Sequence, residues 1–101
     1  MSKSNFPELI QSSTPVLIDF YATWCGPCKS FSPILQSFKD QMGEKVRIVK
    51  IDIDKNQKIA SQLGIMSVPT VHLYQNGELK WSASGVQPVS ELTKQVAKLT
   101  N

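Results

Sequence analysis

Apolar positions fall along the chain in blocks whose spacing alternates between helix and strand signatures. Residues 5–12, NFPELIQS, predict a short helix, with Ser4 or Asn5 as N-cap and Pro7 in the first turn, where its missing N–H costs little. Pro15 then breaks the chain. The run VLIDF, 16–20, is continuously β-prone, as in a strand buried on both faces. Trp24 to Cys28 end that strand and open a helix. From Lys29 to Met42, the residues Phe31, Ile34, Leu35, Phe38 and Met42 line one helical face, which Gly43 can terminate. VRIVKIDI, 46–53, predicts a second buried strand, and IASQLG, 59–64, a short helix ending at Gly64.

The first half therefore reads helix, strand, helix, strand, helix. A strand–helix–strand unit with so long a helix implies a parallel pair and a right-handed crossover. The second half changes character. TVHLYQ and ELKWSA flank Asn76-Gly77, a hairpin signal, because both central turn positions require positive φ. A last helix starts near Pro88 and puts Val89, Leu92, Val96 and Leu99 on one face.

Composition narrows the class. With 101 residues, 41% hydrophobic and 19% charged, the chain suits one globular domain over residues 1–101 and not disorder. The net charge of +3 comes from scattered lysines and Arg47, interleaved with acids, so no nucleic-acid partner is expected. No apolar run approaches the ~18 residues of a membrane span. MSKSNFPELI has no apolar signal core, so a cytoplasmic protein is expected.

Cys25 and Cys28 are the only cysteines. They stand in Trp24-Cys25-Gly26-Pro27-Cys28-Lys29, where a predicted strand meets a helix. Unpaired first-turn N–H groups and the helix dipole favour a thiolate at Cys25, which makes it the expected nucleophile. Cys28, one turn further in, is expected to be less exposed yet close enough to form a disulfide. Gly26 leaves the approach open, and Pro27 stiffens a turn that tolerates proline. A structural disulfide is the blander alternative, but so short a loop yields only about 2 kcal/mol before strain. Zinc needs about four ligands, and the chain offers these two cysteines and the distant His72. Redox chemistry is the favoured reading.

Asp19 places a carboxylate inside an otherwise apolar strand, so burial should raise its pKa. It either caps or pairs at the edge of the core, or lies behind Cys28 and takes its proton. Lys50, inside RIVKI on the neighbouring strand, is the natural partner that limits its neutralisation.

The segments VLIDFYATWCGPCKSFSPIL at 16–35, VKIDIDKN at 49–56, GIMSVPT at 64–70, Gln75-Asn76-Gly77-Glu78 and Gly85 together resemble the thioredoxin family, in family order and over nearly the whole chain. The resemblance implies a three-layer α/β/α fold. Its central mixed sheet would have four firm strands, with at most a vestige of a fifth, flanked by about four helices. It implies protein-disulfide reductase activity, with Cys25 attacking, Cys28 resolving, Asp19 as the buried acid and Lys50 beside it. Val68-Pro69-Thr70 matches a loop whose proline is cis in the family, leaving the Val68 backbone free to pair with an extended client. Trp24, Val68, Pro69 and Gly85 would form the client-binding surface, and Pro33 a kink in the long helix. No cofactor would be bound. A flavin-dependent thioredoxin reductase using NADPH would be the electron source, disulfide-containing proteins the other partners, and the protein a monomer.

Tyr21, Met66-Ser67 and Ser84 depart from common family residues around the site, which bears on partner preference. His72 alternates with Val71 and Leu73 in a strand and reads as structural. Asp52-Ile53-Asp54-Lys55-Asn56 imitates a calcium loop, but Gln57 and Leu63 stand where glycine and glutamate are required. Trp81 reads as packing. Two rival functions remain at this level: an oxidase or isomerase using the same thiols, and a binding module whose thiols are incidental.

Overall fold

Strand β1 (Val16–Tyr21) is the spine of the molecule, paired on both edges in the computed structural model, which describes residues 5–100. It lies parallel to β2 (Arg47–Asp52) and antiparallel to β3 (Thr70–Gln75), which pairs antiparallel with β4 (Glu78–Ser84). The sheet order is β2-β1-β3-β4. Two strand neighbours and helices on both faces explain why β1 is apolar at nearly every position.

The two faces have separate cores. On one, Leu17, Val71 and Leu73 pack against Phe31, Leu35 and Phe38 of α2 (Gly26–Met42) and Leu92 and Val96 of α4 (Val89–Ala97). On the other, Ile18, Phe20, Ile51 and Tyr74 meet Phe6 and Ile10 of α1 (Phe6–Ile10) and Ile59 of α3 (Gln57–Gln62). This is the expected three-layer α/β/α architecture with a mixed sheet. The sheet has four strands among the described residues; Ser4, and any vestige of a fifth strand before it, fall outside them.

Local details depart from the pattern-based boundaries. Helix α1 stops at Ile10, and Asn5 makes no side-chain cap bond. Helix α2 begins at Gly26, directly after Cys25, and runs through Pro33 to Met42. Helix α3 spans 57–62, and its C-terminus is closed by Gly64 at φ 69 with Ile65 N–H donating to the Ala60 carbonyl. The run in β2 predicts burial on both faces, yet only Ile51 and Asp52 are buried. Its place at the sheet edge explains the difference: only one flank has a strand neighbour.

The Asn76-Gly77 turn has φ of 53 and 82 at its two residues, as a tight hairpin demands. It is anchored to the chain before β1, with Gly77 N–H donating to the Ile10 carbonyl and Asn76 N–H to that of Ser12. Cys25 and Cys28 lie at the opposite end of the sheet, beyond the C-terminus of β1.

Candidate active site

Beyond Tyr21 the chain leaves the sheet, and Cys25 N–H donates to the Ala22 carbonyl at 3.2 Å. Cys25 is extended (φ −89, ψ 112) and occupies the N-cap of α2. In place of the usual oxygen, its sulfur accepts from the Cys28 N–H at 3.1 Å. Cys25 and Cys28 form a disulfide, with their Cα atoms 5.3 Å apart. A Cβ built on Gly26 meets no atom within 4 Å, so any side chain there would stand in open space over the pair.

Both cysteines are nearly buried, so exposure does not set Cys28 apart from Cys25 as the sequence suggested. The reason is the loop across from them: Val68 packs on the pair, and its carbonyl oxygen is 3.7 Å from Cys25 Sγ. The Val68–Pro69 bond is cis. Gly85 N–H donates to the Pro69 carbonyl at 2.8 Å, and Thr70 Oγ1 donates to the Ser67 carbonyl, also at 2.8 Å. Val68, Pro69 and Gly85 are thus brought to one side of the disulfide. Trp24, next to Cys25, is 68% exposed, and Met66, two residues before Val68, is 93% exposed.

Asp54 escaped the sequence reading. Its carboxylate accepts from Trp24 Nε1 at 2.9 Å and orients the indole. The segment that imitates a calcium loop is instead an Asx turn, in which Asp52 Oδ1 accepts from the backbone N–H groups of Asp54 and Lys55. Two aspartates two residues apart signal a turn; nothing in their spacing points to a tryptophan thirty positions earlier.

Asp19 is 2% exposed and shares a cavity of ≈ 320 Å³ with Cys28, Ser32, Lys29 and Lys50. Its Oδ1 has no hydrogen-bond partner. Burial pushes the carboxyl up from 3.8 to about 6, against the opposing pull of the Lys50 cation. Lys50 sits beside Asp19 in the β1–β2 register but forms no ion pair with it; the ammonium donates to Ser32 Oγ at 3.3 Å. Among the described residues, no three His, Cys, Asp or Glu side chains gather as a metal cluster would require, and no helix is long and apolar enough to cross a membrane.

The family model described as Thioredoxin matches residues 1–98. The chain belongs to the thioredoxin family. It is 40% identical over 97 residues to the thioredoxin of Alicyclobacillus acidocaldarius, covering 96% of this chain and 92% of that one. With the thioredoxin of Bacillus subtilis it shares 45% over 83 residues, covering 82% and 80%. The solved thioredoxin structure from Malassezia sympodialis superposes with a TM-score of 0.87 at 34% identity, over 99% of this chain and 89% of that one. The Cys25–Cys28 pair is the family's redox-active centre, and the chain is a thiol-disulfide oxidoreductase. A thioredoxin performs this chemistry with its own sulfurs and binds no cofactor itself.

Proposed function

We propose that residues 1–101 act as one monomeric unit, a cytoplasmic protein-disulfide reductase in which Cys25 attacks, Cys28 resolves and Asp19 serves as general base. The observation that carries this reading is the Cys28 N–H aimed at Cys25 Sγ from the first turn of a helix. A helix N-terminus with a backbone N–H directed at the sulfur stabilises negative charge on Cys25. In the dithiol, Cys25 thiolate attacks one sulfur of a client disulfide. The client S–S bond breaks, a Cys25–client disulfide forms, and the displaced client thiolate takes a proton. Asp19 then accepts the Cys28 proton across their shared cavity, and Cys28 thiolate attacks Cys25 Sγ. The second client thiolate leaves and the Cys25–Cys28 disulfide remains.

Trp24, Val68, Pro69 and Gly85 receive the client, whose extended backbone pairs with Val68. Gly26 and Pro27 shape the approach, and Lys50 limits the basicity of Asp19. A thioredoxin reductase holding FAD and drawing on NADPH returns two electrons to the disulfide. Nucleic acid and membrane take no part.

Reduced Cys28→Ser protein, mixed with a disulfide-containing protein, should accumulate a mixed disulfide through Cys25, while Cys25→Ser should form none. Trapping through Cys28 in the second variant would reverse the assignment. A reduction potential in the range of cellular oxidants would turn the reading into that of an oxidase or isomerase.

A further inference from the structure

Ser32 is a half-buried polar residue on the flank of α2, beside its apolar face, and nothing in the chemistry above requires it. Its hydroxyl donates to the Cys28 carbonyl at 3.4 Å and accepts from Lys50 Nζ at 3.3 Å. It thereby joins the helix that carries Cys28 to the strand that flanks Asp19. Lys50 is the register partner of Asp19, and both border the cavity behind Cys28. A cation is the strongest donor a carboxylate with an unpaired oxygen can take, yet the Lys50 ammonium forms no ion pair with Asp19 and bonds Ser32 instead.

We infer that Ser32 is a positioning residue, which tethers the Lys50 ammonium away from Asp19 and so preserves the carboxylate as a proton acceptor for Cys28. The inference rests on the assignment of Asp19 as the base. Other groups do not substitute for the tether. Asp19 is faced by Lys50 from β2, by Cys28 and Lys29 from α2 and by Tyr21 along its own strand; its β3 neighbour, Val71, is not titratable. Lys50 is therefore the cation in register with the acid, and its distance from the carboxyl decides how strongly it acts.

The test uses Ser32→Ala, Ser32→Thr and Lys50→Met in the full chain, with two readouts. NMR titration of the Asp19 carboxyl in the reduced protein reads the tether directly. In Ser32→Ala the midpoint should fall by about half a pH unit or more as the ammonium closes on the acid, and Ser32→Thr should restore it. Lys50→Met should move it the other way. The pH profile of mixed-disulfide resolution is the second readout: its acidic limb should follow the same shifts, with Ser32→Ala about twofold slower near neutral pH. An Asp19 midpoint unchanged in Ser32→Ala, or raised as in Lys50→Met, overturns the tether. A midpoint that moves while the rate profile stays fixed leaves the tether standing and overturns Asp19 as the base.

Discussion

Asp19 and His72 occupy adjacent strands and opposite faces of the sheet, and each buries a titratable side chain. His72 is satisfied by its own neighbourhood. Its Nδ1 meets the Tyr74 hydroxyl at 3.1 Å, and its ring stands edge-on to Phe20 with centroids 5.0 Å apart. Burial pushes its pKa below the ordinary 6.5 and that of Tyr74 above 10.0, so both stay neutral around pH 7. Asp19 has an oxygen without a partner and a cavity that leads to Cys28. Burial of a polar group alone thus does not distinguish the proposed base from a structural residue in this fold. An unfilled hydrogen-bonding capacity next to the reacting atoms is the more telling sign, because a group already paired has less capacity to receive a proton.

The contrast is sharpened first by the sulfur that ends the Asp19 side. Cys25→Ser should lower turnover of a protein disulfide by at least about 10³-fold, measured with a reducing cofactor system or dithiothreitol. Loss of less than tenfold would remove the thiol from the mechanism.

Asp19→Asn should slow resolution of the mixed disulfide by roughly 10²-fold near neutral pH while making the protein more stable. The unfolded chain ionises Asp19 from pH 3.8 upward, whereas the folded chain holds the proton to about 6. Stability present at low pH is therefore lost as pH rises through that window, by about 3 kcal/mol in all. Denaturant unfolding should show the variant gaining about that much at pH 7 and nothing at pH 3. Equal stability at both values would contradict a buried, proton-retaining acid.

His72→Leu should have the opposite profile. Turnover should stay within about twofold of wild type, and stability near pH 8 should fall by about 1 kcal/mol through the unpaired Tyr74 hydroxyl. The wild-type protein should lose stability as pH drops below 6.5, since the unfolded histidine then binds a proton that the buried ring resists. The variant should lose that part of the acid sensitivity, and a large loss of turnover would place His72 in the site after all.

Asp54→Ala is the smallest change. Freeing the exposed Trp24 indole should alter stability by less than about 1 kcal/mol and raise KM for a protein client about twofold with kcat unchanged. A change in kcat would mean that the indole does more than receive clients.

Much of this contrast was legible before the structure. Asp19 stood out as a charge in an apolar strand, the cysteines as a pair at a strand–helix junction, and His72 as one member of an alternating strand. The hairpin and the apolar face of α2 follow directly from turn chemistry and helical spacing. Other features left no such trace. β2 has the composition of a central strand, but its neighbours are chosen by the whole sheet, and it lies at the edge. Ser32 is an ordinary helix serine until Lys50 reaches it from another strand, and Asp54 an ordinary turn residue until Trp24 meets it. Polar residues that act through one long-range hydrogen bond carry no periodicity by which to find them.

The bond from Gly85 to the Pro69 carbonyl has a consequence for recognition. It fastens the loop beside the disulfide to the end of β4 before any client arrives. An extended segment meeting Val68 would therefore dock on a template whose own backbone is already immobilised, and the ordering cost of association would fall almost wholly on the client. On the reading proposed above, such a surface would favour client segments already held extended over flexible ones that must be ordered on docking.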